Sequence, residues 1–255
     1  MQIVYGCMAE ITVCINNFNR AALAEYVVKS IPRDVKIIVM DAGSPREEKD
    51  RLARACDDLG ARFLDLEIPG SMGHPNQANI QLYTSKNLAL KEVRTEFVVF
   101  NDGDYTYLPG ALEESLMVYK ALPQVGLMGH FPAPIAGCGW WSAAEWPIQW
   151  QHGHQCVGKC DVLLKKPKFN QLHAGVEVIT EEKTISMLEM NTVGGMSTMH
   201  RTQQLRDLGG MPVPPNHRSV GGPGSTGDGD ICDVVHNAGL KMYVPESILW
   251  GMWLT

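Results

Sequence analysis

From residue 11 to residue 128, short apolar runs alternate with amphipathic segments, and most connections between them are only a few residues long. A chain patterned this way has few ways to fold. Parallel strands need a crossover, the crossover is a helix, and strands covered on both faces read as nearly continuous apolar runs. The pattern predicts strands at 11–15, 35–40, 61–66, 96–100 and 125–128. It predicts helices over 21–30, 47–59 and 80–93, and a fourth whose first turn holds Pro109 and whose buried face carries Leu112, Leu116 and Tyr119. Gly60 sits where a helix stop is needed. The fold class is therefore α/β, a mostly parallel sheet with helices on both faces.

The second half is less regular. Strands are expected at 175–180 and 184–190, forming a hairpin around Glu181-Glu182-Lys183, then a helix over 200–208 ending at Gly209-Gly210. The stretch 212–227 is dense in Gly, Pro and Ser and reads as a loop. A last helix begins near Asp228, buries Ile231, Val234, Val235 and Ala238, and stops at Gly239. With no repeat and no linker, residues 1–255 are expected to form one domain whose halves meet near residue 130.

Net charge is −6 with no basic stretch, which argues against nucleic acid as a partner. No run approaches the roughly 20 apolar residues of a membrane span. The N-terminus lacks the basic and apolar regions of a secretory signal. Seven cysteines, an odd count with several in apolar patterns, suit buried thiols in a reducing compartment. A soluble cytoplasmic protein is the expectation.

The chemistry-bearing residues fall at strand exits. Asp102-Gly103-Asp104 follows the run Phe97-Val98-Val99-Phe100, and two carboxylates one residue apart can converge on a hard cation such as Mg²⁺ or Mn²⁺. The competing reading is a solvated Asp-Gly turn. Asp41 closes the second strand, where it can accept from a ribose hydroxyl or base imide or can cap an Asx turn with Gly43 and Ser44. Asn16-Asn17-Phe18-Asn19-Arg20 after the first strand offers amides, a ring and a guanidinium to a nucleobase and its phosphates, or serves as a helix cap. Lys86 and Asn87 interrupt a helix with polarity that faces either a crevice or solvent. In open α/β sheets ligands bind at the carboxyl ends of strands, so Asp41, Asp102 and Asp104 are expected to share one crevice.

The ordered set Asn-Phe-Asn-Arg (17–20), Asp-Ala-Gly-Ser (41–44), Ser-Lys-Asn (85–87) and Phe-Asn-Asp-Gly-Asp (100–104) resembles the family-2-like glycosyltransferases of GT-A fold. The likeness covers about 11–128 and resumes at 199–211 and 228–239. It implies a sugar nucleotide donor, UDP-linked by expectation, a hydroxyl acceptor, inversion, and Mn²⁺ or Mg²⁺ held by Asp102 and Asp104. It further implies donor binding by Asn17, Phe18, Arg20, Asp41, Lys86, Asn87, Asp102, Gly103 and Asp104. The general base falls on Asp228, with Asp230 in reserve. Asn101, Phe18, Ala42 and Gly227 depart from the family pattern, and 131–175, an irregular acceptor-side insertion, has no counterpart in it. The segment holds Trp140, Trp141, Trp146 and Trp150, which can stack on sugars or form an apolar subcore. Its His152, His154, Cys156 and Cys160 lack a familiar zinc spacing. Gly222 to Gly227 fits G-x-G-x-x-G but follows no strand, so a flexible lid is the better expectation for it. Two alternatives stand beside the transferase. One is a catalytically silent nucleotide- or glycan-binding protein. The other is a sugar nucleotidyltransferase, against which the glycine-free 16–20 turn argues.

Overall fold

The computed structural model describes residues 8–66, 68, 75–107, 109–129, 174–190, 193, 197–213, 227–245 and 251–253. The Trp-rich and His/Cys stretch (138–160) and the 214–226 part of the Gly/Pro loop lie outside the described residues.

The first half follows the expected alternation: β1 (Ile11–Asn17), α1 (Ala21–Ser30), β2 (Lys36–Asp41), α2 (Arg46–Leu59), β3 (Arg62–Asp65), α3 (Pro75–Glu92) and β4 (Phe97–Asp102). A short β5 (Tyr105–Tyr107), α4 (Ala111–Ala121) and β6 (Val125–Gly129) follow. Beyond the irregular stretch come β7 (Ala174–Ile179), β8 (Thr184–Met190), β9 (Ser197–Arg201) and α5 (Thr202–Asp207). The chain continues through α6 (Gly227–Asn237) and β10 (Lys241–Pro245) to β11 (Gly251–Trp253), which pairs with β5 in a separate ribbon.

The main sheet has the order β3-β2-β1-β4-β9-β6-β10-β8-β7. Seven of its nine strands run the same way, β9 and β8 being reversed. Side chains alternate between two apolar layers. Ile11, Val13, Ile15, Phe97 and Val99 join α1, α2 and α4 on one face. Cys14, Met40, Val98 and Phe100 join α3, α5 and α6 on the other. The period of two along each strand thus supplies both faces, as the apolar runs require.

Several boundaries differ from expectation for local reasons. The α3 helix starts at Pro75, where a ring-fixed φ suits the first turn, rather than at 80. Pro109 precedes α4 instead of entering it, because Gly110 at φ 91° takes the N-cap. Residues 197–201 form β9 in place of the first turn of the 200–208 helix: the run Ser-Thr-Met-His-Arg is pinned between β4 and β6. The Gly60 stop is as expected, left-handed at φ 72°. Cys14, Cys56 and Cys232 are buried and in no disulfide, and burial pushes the Cys56 thiol up to about 12. Among the described residues no helix is long and apolar enough to cross a membrane.

A Cβ added at Gly126 of β6 would lie 2.7 Å from both Leu240 Cβ and Val235 Cγ1, at the end of α6 and the loop after it. Gly126→Ala should therefore lower stability by about 1–3 kcal/mol through overpacking, read as a drop in the chemical denaturation midpoint.

Candidate active site

The strand order reverses at β1: β2 and β3 extend the sheet to one side, while β4 returns to the other. That point is where open α/β sheets bind ligands. The carboxyl ends meet in register, Asn17 opposite Asp41 and Asn16 opposite both Met40 and Asp102.

On the β2 side, Asp41 is fully buried and takes four donors. Its Oδ1 accepts from the N–H of Gly43 (3.0 Å) and Ser44 (2.8 Å), and its Oδ2 from Ser44 Oγ (2.6 Å) and Asn17 Nδ2 (2.7 Å). Ser44 Oγ in turn accepts from the Asn19 N–H at 2.8 Å. Four donors use a carboxylate's ordinary capacity, which is the Asx-turn arrangement. Asp41 and Asn17 thereby lock the loops after β1 and β2 to each other.

On the β4 side, Asp102 ends the strand, partly buried, and Asp104 follows, buried. Gly103 is required between them: a Cβ there would stand 2.5 Å from the Asn16 carbonyl oxygen. The turn is tied by Asn101, whose Nδ2 donates to the carbonyls of Asp102 (2.9 Å) and Tyr105 (2.7 Å). Tyr107 donates its hydroxyl to Asn101 Oδ1 at 2.7 Å, and Ser197 at the start of β9 lies 2.7 Å from the same hydroxyl. Burial pushes the Tyr107 phenol well up; the Ser197 bond pulls the other way and the nearby Asp102 carboxylate adds to the rise, so the phenol stays a donor. Sequence reasoning marked Asn101 only as a departure and missed Tyr107 and Ser197 altogether. Nothing in the local sequence pairs residues 90 positions apart.

The Arg20 guanidinium forms an ion pair with Asp104. Arg20 is 59% exposed and Asp104 10%, so the cation comes from the solvent side and the carboxylate from within. Phe18 is exposed at the same rim. Lys86 is fully buried on α3 with Nζ 5.0 Å from the Tyr83 ring centroid and 5.9 Å from that of Phe100. Asn87 differs from expectation. Its Nδ2 donates to the Met211 carbonyl at 2.7 Å and its Oδ1 accepts the Met211 N–H at 2.8 Å. Adjacent helical residues diverge by about 100°, so Lys86 turns to the sheet while Asn87 pins the loop after α5.

The α6 helix presents its amino end to this same side of the sheet. Cys232, midway along it, accepts the Val193 N–H at 3.3 Å, and Val193 lies against Gly129 at the carboxyl end of β6. Its other end meets Gly126, nearer the start of β6. Asp230 is partly buried there; the Asp228 side chain lies outside the described residues. Among the described residues, no group of three or more His, Cys, Asp or Glu converges as a ready metal cage. Asp102 and Asp104 still suit a hard cation, which commonly takes one or two carboxylates and fills its other positions with phosphate oxygens and water.

Residues 12–169 match the model of glycosyl transferase family 2. The chain belongs to that family. Solved structures of like fold include the mannosyltransferase PcManGT from Pyrobaculum calidifontis in complex with GDP-Man and Mn²⁺ (18% identity, 94% of this chain, 55% of that one, TM-score 0.57). Another is S. aureus TarS 1–349 in complex with UDP-GlcNAc (13% identity, 96% of this chain, 58% of that one, TM-score 0.58). At these identities the likeness is one of fold, and this family 2 chain spans between half and two thirds of the length of either protein. A search of curated proteins finds no match.

Removing the tie across the turn should loosen it. Asn101→Leu leaves the Tyr107 hydroxyl and two carbonyls short of partners, so a loss of about 1–3 kcal/mol in unfolding free energy is expected. Hydrogen exchange of the 102–105 amides should rise with it.

Proposed function

We propose that this protein transfers a sugar from a nucleoside diphosphate donor, UDP-linked by preference, to a hydroxyl acceptor with inversion. The observation that carries this is the Asp102-Gly103-Asp104 turn at the reversal of strand order, with Asp104 paired to an exposed, displaceable Arg20. Glycosyl transfer breaks the bond between the anomeric carbon and the diphosphate and makes one to the acceptor oxygen. The acceptor loses a proton, and the diphosphate leaves with added negative charge.

Each part of the site answers one of these needs. Asp102 and Asp104 would hold Mn²⁺ or Mg²⁺ against the diphosphate; when bound, such an ion supplies a Lewis acid that offsets the leaving group's charge. Arg20, released from Asp104, turns its guanidinium to a phosphate, for which its fork geometry suits it. Asp41 acts through the loop it locks, shaping the nucleoside bed of Asn17 and Phe18 rather than spending a free lone pair on the ribose. Asn87 fixes the α3 register that aims Lys86 at the crevice. Asp228, with Asp230 nearby on the same helix turn, takes the acceptor's proton as general base. Among the described residues, three buried thiols outside any disulfide suit a cytoplasmic setting.

Calorimetry with UDP tests the assignment. Asp104→Ala should abolish the Mn²⁺-dependent part of UDP binding; affinity that stays metal-dependent would refute it. Arg20→Ala should separate two roles: Mn²⁺ alone binds at least as well once the competing guanidinium is gone, while UDP with Mn²⁺ binds several-fold more weakly.

A further inference from the structure

Three polar side chains, Asn101, Tyr107 and Ser197, are buried behind the turn that carries Asp102 and Asp104, and their protons fit together in only one way. Asn101 faces Ser197 across β4 and β9, so the two share a side of the sheet. Both partners of Asn101 Nδ2 are backbone carbonyls, of Asp102 at 2.9 Å and Tyr105 at 2.7 Å, and a carbonyl only accepts. Asn101 Oδ1 is thereby turned to Tyr107, whose hydroxyl must donate to it at 2.7 Å. A phenol has one proton to give, so the Ser197 hydroxyl, 2.7 Å away, donates to Tyr107. Donation runs one way, from β9 through Tyr107 and Asn101 onto the backbone of the turn.

Burying three polar groups costs desolvation that apolar residues would avoid. β4 is apolar from Phe97 to Phe100 and turns polar at Asn101, one position before the first carboxylate. The chain of donors has two effects there. It holds the turn from one side, while on another Gly103 stands so near the Asn16 carbonyl that a Cβ would come within 2.5 Å of it. It also occupies the Asp102 and Tyr105 carbonyls and keeps them aimed at Asn101. Those are the oxygens a larger ion would need. Ca²⁺ gathers roughly six to eight oxygens in yielding sites and recruits backbone carbonyls to reach that number. A small octahedral ion makes do with a carboxylate or two and takes the rest from phosphate and water.

We infer that Tyr107 and Ser197 are positioning residues that set which cation the turn accepts. By holding Asn101 on the Asp102 and Tyr105 carbonyls they deny those oxygens to a large ion, and the turn favours Mn²⁺ or Mg²⁺ over Ca²⁺. Neither residue touches the ion; both act through Asn101. This rests on the metal and diphosphate reading above and adds to it the residues that choose the ion.

The test measures, by calorimetry in the presence of UDP, the affinities of Mn²⁺ and of Ca²⁺ for the unaltered chain and for Tyr107→Phe. Phe keeps the ring and its edge-on contact with Tyr105, 5.6 Å between centroids, and removes only the hydroxyl that orients Asn101. The expected result is a loss of about tenfold in Mn²⁺ affinity, as for other residues that orient metal ligands, with Ca²⁺ affinity held or raised. The Mn²⁺-to-Ca²⁺ ratio should therefore fall about tenfold. Ser197→Ala cuts only the first link of the chain and should shift the ratio the same way by less; it keeps the test decisive should the Phe variant fold poorly. A ratio unchanged in the folded variants, whether both affinities hold or fall together, would overturn the inference and leave the transferase reading intact. An unaltered chain that binds no Mn²⁺ in the presence of UDP would instead overturn that reading.

Discussion

The site depends on how closely β4 approaches β1. Six residues of each strand run parallel in register, and the turn that follows β4 comes so near the Asn16 carbonyl that only glycine fits at 103. That approach places the two carboxylates of the turn after β4. It brings Asp102 alongside Asn16, sets Asp104 within reach of Arg20, and leaves the return of the chain to β5 to be tied by side chains rather than by sheet pairing with β4.

Two polar networks then stiffen the two sides. Asp41 binds the loops after β1 and β2 into one unit by four hydrogen bonds, and Asn101 binds the Asp102–Tyr105 turn to Tyr107 and Ser197. Both are buried, where satisfied polar groups hold geometry strongly and unsatisfied ones are costly. Against that background one group still able to exchange partners stands out: Arg20, whose cation is exposed. Rigid walls around an exchangeable group are what a site that must exchange ligands needs.

The first half of the fold was legible because its strands are buried on both faces and its helices carry single apolar stripes, so period and punctuation agree. Runs such as Phe97–Phe100 and stops such as Gly60 leave little choice. Two strands of the second half were not legible. Ser197–Arg201 and Lys241–Pro245 carry weak local signals and become strands because neighbours hydrogen-bond to them, which is information spread across the chain. The site divided the same way. Asp102, Gly103 and Asp104 were readable from strand exit and spacing. The saturation of Asp41 and the diversion of Asn87 to the Met211 backbone were not, because both depend on which loop folds back beside them.

The central claim is that the turn after β4 is the metal and diphosphate anchor. It is tested most directly by anomalous scattering from crystals soaked with UDP and Mn²⁺. The account predicts a single manganese peak coordinated by Asp104, with Asp102 at or next to the ion, the diphosphate completing its shell and Arg20 moved off Asp104. Nucleotide density with manganese bound elsewhere, or with Arg20 still on Asp104 and no metal beside it, would contradict it.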